Sequence, residues 1–156
     1  KVIGGRFCSD SSGYQEGSIF GYDYIFASVD RLVQDMTGFA KNNAPTLICP
    51  QTTESYGGSY RLKAGLITAD ELVLAGEYFG LETTSYLNSG ESGIDYWSMT
   101  PADFDNGDAF VWGEYDNLDA DDRVDYDFAV RPVINVTTEN GFTSGDGTVE
   151  NVYVLS

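Results

Sequence analysis

The sequence predicts an α+β fold, built from many short strands, two modest helices and a long polar stretch held at the surface. Three observations carry this. Apolar residues fall at helical spacing between Ile25 and Phe39, and a capping signature opens a second helix at Thr68. Elsewhere, short β-branched and aromatic runs alternate with turns containing Gly, Pro and Asp. At 156 residues the chain fits a single domain, residues 1–156.

Residues 1–45 supply a terminal strand, loops and the first helix. Val2-Ile3, Arg6-Phe7-Cys8 and Ile19-Phe20 read as strand and loop pieces in a stretch rich in Gly, Ser and Tyr. Ile25, Val29, Leu32, Val33 and Met36 then recur at three- and four-residue steps, the mark of an amphipathic helix. Ser28 or Asp23 stands where its cap belongs, and Gly38 where it ends. Thr46-Leu47-Ile48-Cys49 reads as a short strand stopped by Pro50, and Gly65-Leu66-Ile67 as another. Thr68 with Glu71 three residues on forms a capping box, and Gly76 ends the short helix. Asp70 and Glu71 belong to its first turn, where the helix dipole favours carboxylates; they are not a catalytic pair. Tyr96-Trp97-Ser98-Met99 and Ala129–Val136 are strands, and Gly145-Asp146-Gly147 turns into a last strand, Asn151 to Leu155.

Charge excludes several function classes. Eight Lys and Arg face 25 Asp and Glu, a formal net charge of −17. The eight basic residues are scattered, so neither nucleic acid nor an anionic membrane is an expected partner, and no apolar run is long enough to span a bilayer. Basic or polar protein surfaces remain open as partners. With no His, the commonest general base and transition-metal ligand is missing. Cys8 and Cys49 cannot make a Cys-only zinc site. Their even count suggests a disulfide worth about 4 kcal/mol; two buried free thiols are the alternative.

The most informative stretch lies between Tyr96 and Val136. From Asp103 to Asp127 stand nine Asp plus Glu114, against one basic residue, Arg123. Disordered acidic segments are poor in aromatics, yet this one carries Phe104, Phe110, Trp112, Tyr115 and Tyr126. It is therefore expected to be a folded surface, with Trp97, Phe104, Phe110, Val111, Phe128, Val130 and Val133 as its buried framework. Tyr and Trp offer rigid contact area with a polar handle, while Asp and Asn supply hydrogen bonds. Arg131 is expected to pair structurally with a carboxylate or with backbone carbonyls.

Four pieces in this order resemble a known arrangement: Gly65-Leu66-Ile67-Thr68-Ala69-Asp70-Glu71 with Ala75-Gly76, Tyr96-Trp97-Ser98-Met99-Thr100-Pro101, Val130-Arg131-Pro132-Val133-Ile134, and Gly145-Asp146-Gly147-Thr148. Over residues 46–156 they look like phage, prophage and microbial surface domains with the C-type lectin fold. That group is similar to the formylglycine-generating-enzyme superfamily and to the variable proteins of diversity-generating retroelements. The resemblance implies a small twisted antiparallel sheet, two helices and a long irregular ligand-binding region at residues 95–136. It does not imply oxidase chemistry, because both cysteines precede the resembling C-terminal region.

Retroelement diversification randomises adenines, with the Asn codon AAY as its preferred target. Asp103, Asp105, Asn106, Asp108, Tyr115, Asp116, Asn117, Asp119, Asp121, Asp122, Asp125, Tyr126 and Asp127 are each Asn or one base from it. Trp112 and Glu114 are not reachable this way and would be framework. The resemblance thus implies a non-enzymatic display protein, extracellular on a virion or cell surface, that recognises a protein or other receptor through these residues. An ordinary acidic surface, whose Asp and Asn favour turns, remains the plain alternative.

Two other classes compete. A calcium-dependent or calcium-stabilised lectin-like adhesin would use the Asp cluster, with calcium as the one cofactor considered. Asp119-Ala120-Asp121-Asp122 is suggestive but lacks the spacing and Gly of an EF-hand loop. A glycosidase needs two carboxylates. With 25 acidic residues a pair can always be nominated, so their presence is no signal. No catalytic residue, resident metal or cofactor is expected.

Overall fold

The structure, a computed structural model, describes residues 2–7, 13–14, 24–33, 44–48, 61–80, 87, 95–114, 117–137, 141–146, 151 and 154–155. Cys8 and Cys49, with their expected pairing, lie outside the described residues. The elements in order are β1 (Val2–Ile3), β2 (Gly5–Arg6), β3 (Gly13–Tyr14), β4 (Tyr24–Phe26), α1 (Ala27–Leu32), β5 (Arg61–Leu62), β6 (Ala64–Leu66) and α2 (Ala69–Leu74). They continue with β7 (Tyr96–Asp105), β8 (Asp108–Glu114), β9 (Leu118–Arg123), β10 (Pro132–Val136), β11 (Phe142–Ser144) and β12 (Val154–Leu155). This is a mostly-sheet α+β fold. A five-stranded antiparallel sheet has the order β3-β4-β7-β8-β9, and a three-stranded one the order β1-β10-β6.

Both helices lie against the large sheet. Ile25, Val29, Leu32 and Val33 join Ala69, Leu72 and Val73 over Tyr96, Ala102, Trp112 and Leu118 in one buried cluster. A fully buried aliphatic side chain contributes roughly 1.5–3 kcal/mol, and helices of six residues depend on such burial because they are too short to stand alone. The small sheet is tied in where Met99 N donates to Ile67 O at 2.8 Å. Thr100 Oγ1, fully buried, accepts from Ala69 N at 2.9 Å and so anchors the start of α2 on β7.

The second helix matches its sequence reading closely. Glu71 N donates to Thr68 Oγ1, and Thr68 N donates to Glu71 Oε2, completing the capping box. Gly76 follows the helix with φ +106°, a backbone region closed to most side chains. The first helix departs from expectation. It covers Ala27–Leu32 rather than starting at Ile25, because Tyr24–Phe26 is a strand and Val33 is already extended. Its N-cap is Phe26, with no side-chain cap. Ser28 is fully buried instead; it accepts from Trp112 Nε1 at 2.9 Å and donates to Pro101 O at 2.8 Å.

Three further expectations are corrected. Thr46–Ile48 is no strand, because its backbone is engaged by side chains: Thr46 N donates to Asp70 Oδ1, and Ile48 N to Thr46 Oγ1. Phe104 and Val130, placed in the buried framework, are 41% and 64% exposed. Phe104 sits at the open end of β7 opposite Tyr24, beyond the cover of the helices. Val130 follows Ala129, whose bridge to Tyr96 fixes the backbone without turning the next side chain inward. Arg131 behaves as expected: Nη1 donates to Leu87 O, and the guanidinium lies 4.2 Å from the centre of the Tyr96 ring.

Candidate functional site

The acidic segment folds as the β7–β8–β9 meander, and its turn chemistry explains part of its composition. Asn106 at φ +50° and Gly107 at φ +92° form a two-residue connection between Asp105 and Asp108, which face each other across the hairpin. Asn-Gly is the favoured pair for this tight turn, since both positions need positive φ. Asn106 Nδ2 also donates to Asp105 Oδ2 at 2.8 Å. The Asn-Gly pair is therefore turn chemistry, and Asn106 is a turn residue before it is a recognition residue.

Strand β8 is central, pairing with β7 through Tyr96↔Glu114 and with β9 through Glu114↔Leu118. The β9 register matters most. Val111 pairs with Asp122 and Gly113 with Asp119, so two residues of β9, Ala120 and Asp121, oppose Trp112 alone. This bulge puts Asp119 and Asp122 on one face, where strict alternation would separate them. Gly113 makes the arrangement possible: a Cβ there would lie 1.6 Å from Asp122 Oδ2.

Beside β9 is a recess of about 320 Å³. Asn117, Asp119, Asp121, Asp122 and Tyr126 line it, together with Asp95, which the sequence did not single out, and Phe128, which was expected only as framework. Asp95 arrives through the fold alone: Ala129 N donates to Asp95 O at 2.8 Å, which holds the Tyr126–Phe128 segment against β7. Asp95 Oδ1 and Asn117 Oδ1 are buried without a hydrogen-bond partner.

The remaining sequence-predicted residues divide. Asp108 and Asp125 flank Arg123 at 3.0 and 2.9 Å, and the same guanidinium lies over Tyr126, 5.6 Å from the ring centre. That clamp fixes the exit from β9, and the Arg123 hydrogen bonds hold the Asp125 carboxyl below its ordinary range. Asp105 and Asn106 stand at the hairpin tip and do not line the recess. Asp127 is exposed, whereas Asp103 is buried in β7 at 7% exposure. Tyr115 and Asp116 lie outside the described residues.

The packed carboxylates resist ionisation together. Burial, then repulsion from Asp105 and Asp121, pushes Asp103 up to about 7. Burial, then Asp121, Asp119 and Asp95, raises Asp122 to about 7. Asp119 is raised as well, chiefly by burial, although the hydrogen bond from Ala120 N opposes the shift. Asp121 therefore links the Asp103 and Asp122 groups electrostatically.

A raised folded-state pKa means that the folded chain binds more protons than the unfolded chain between roughly pH 4 and 7. Stability is therefore greatest at the acid end of that window and falls as pH rises through it. Asp103→Asn should stabilise the chain at pH 8 by on the order of 2 kcal/mol, with little effect at pH 4. Urea unfolding of both proteins at the two pH values measures this; equal differences at both would show that Asp103 carries no titrating strain.

Among the described residues no helix is long and apolar enough to cross a membrane. No known family model, curated protein or solved structure matches the chain.

Proposed function

We propose that this chain is a non-enzymatic ligand-binding display protein with a C-type lectin fold, a variable protein of a diversity-generating retroelement exposed on a virion or cell surface. The observation that carries the reading is the recess beside β9. Five of the codon-compatible residues, Asn117, Asp119, Asp121, Asp122 and Tyr126, converge there on a base whose backbone is set by others. Tyr96, Trp112 and Leu118 are almost wholly buried beneath it, so the side chains above can be exchanged while the scaffold stays packed. Density of carboxylate favours a partner with a basic or polar surface, since charge complementarity speeds encounter and fixes register.

The calcium-dependent reading has weaker support. Calcium takes six to eight converging oxygens, and among the described residues no three His, Cys, Asp or Glu side chains are grouped to hold a metal ion.

Sequencing the gene across a natural population tests the display reading. Substitutions are expected to concentrate in codons 95–128 at Asn117, Asp119, Asp121, Asp122 and Tyr126, and to spare Trp112 and Gly113. Asn106 should vary less than Asn117, because its turn demands positive φ. Substitutions spread evenly along the chain would remove the retroelement reading.

A further inference from the structure

A second hollow, of about 210 Å³, is lined by residues of β9, β7, β4 and α1 and shares Asp119 and Asp121 with the recess. Its wall is divided chemically. Ile25, Val29 and Phe79 form an apolar side, while Asp103, Asp119 and Asp121 bring three carboxylates to the other. Asp103 is the decisive member: at 7% exposure its Oδ1 is buried and has no hydrogen-bond partner. A buried carboxylate oxygen left unpaired is costly, and the nearest charges, Asp105 and Asp121, make it more so.

No described arginine side chain supplies the missing charge. Arg31 is held by Asp70, Arg123 by Asp108 and Asp125, and Arg131 lies on Tyr96. The hollow also suits one kind of cation better than another. A bare divalent ion wants oxygen on all sides, and half of this wall is hydrocarbon and ring. An alkylammonium suits both halves: its head can pair with the unsatisfied Asp103 while its stem packs on the Ile25 and Val29 side. Phe79, on the same wall, offers further apolar surface to the stem.

We propose that this hollow is a binding site for an organic ammonium group on a short alkyl stem, either a free alkylamine or the side chain of a lysine presented by a partner. The proposal deepens the display reading and rests on it, naming the chemistry that the acidic face selects. Asp103 is the anchor, holding the ammonium at the bottom of the site. Asp121, exposed at the mouth and close to the recess residues, guides the cation in. The Phe79 ring and α1 determine how long a stem is accepted.

Calorimetric titration of the full chain at pH 8 tests this, with n-butylammonium chloride and, separately, Nα-acetyl-lysine amide as probes and 1-pentanol as the neutral control. The butylammonium Kd is expected on the order of 1 mM, at least tenfold tighter than 1-pentanol. Asp103→Asn should weaken it at least tenfold. Asp121→Asn, at an exposed position, should weaken it about threefold and serves if the first variant fails to fold. Binding of both cations assigns the site to lysine side chains as well; binding of butylammonium alone assigns it to free amines. The proposal is overturned if 1-pentanol binds as tightly as the amine, if the variants bind like the parent, or if stoichiometric calcium displaces butylammonium. Any of those results alongside substitutions confined to codons 95–128 would leave the display reading standing.

Discussion

Trp112→Ala should lower the unfolding free energy by about 3–5 kcal/mol, the usual cost of deleting a buried ring that its surroundings cannot refill. The indole is fully buried, packs edge-on to Phe79 at 5.8 Å, and donates from Nε1 to Ser28 Oγ. Truncation removes apolar contact from β8, α1 and the Phe79 segment together. It also strips the buried Ser28 hydroxyl of its donor, though that hydroxyl keeps its own bond to Pro101 O. Trp112→Phe separates the two contributions, since it keeps most of the packing and should cost about 1–2 kcal/mol through the lost hydrogen bond and smaller ring. Urea unfolding with unchanged slope is the measurement. A loss under about 1 kcal/mol for the alanine variant would mean that the face above does not depend on this ring.

Arg31→Met should cost a similar amount, about 3–5 kcal/mol, for an electrostatic reason. Arg31 Nε and Nη2 each donate to Asp70 at 2.8 Å in a two-pronged pair that joins α1 to α2. The two side chains are only 14% and 7% exposed, so removing the cation strands a carboxylate in a poorly solvated place. Asp70 also accepts from Thr46 N at 2.9 Å, which holds the 44–48 segment in place. Asp70→Asn keeps an acceptor for that amide but carries no charge. The double variant Arg31→Met, Asp70→Asn should therefore recover most of the loss in a double-mutant cycle. Failure to recover would place the cost of Arg31→Met in lost packing of its stem.

Features written locally were legible in the sequence. The Thr68–Glu71 capping box and the stop at Gly76 depend on residues within one turn of each other, and they were readable as such. Periodicity found α1 and its core residues Ile25, Val29, Leu32 and Val33, but not its ends, because an extended strand precedes the same apolar pattern. The Arg31–Asp70 pair bridges 39 residues and the Ser28–Trp112 bond bridges 84, so neither leaves a trace in sequence spacing. The acidic residues of β9 were identifiable as a surface. Their grouping was not, because strict alternation gives the wrong faces once a bulge intervenes. Asp95 had no local signal at all; only the Ala129 bridge brings it to the recess.

That bulge lets β9 change length at one place. Two residues stand opposite Trp112 where a regular strand would put one, so Asp119 and Asp122 share a face at a spacing of three, whatever the intervening residues are. Point substitutions leave the count intact, so the strand can be rewritten letter by letter while its geometry persists. Deleting Ala120 alone would leave Asp121 opposite Trp112 and restore regular alternation, so Asp119 and Asp122 would keep their common side without the bulge. Lineages of this chain should accordingly be rich in replacements along β9, and should tolerate a single-residue gap at the bulge better than one in the regular part of the strand.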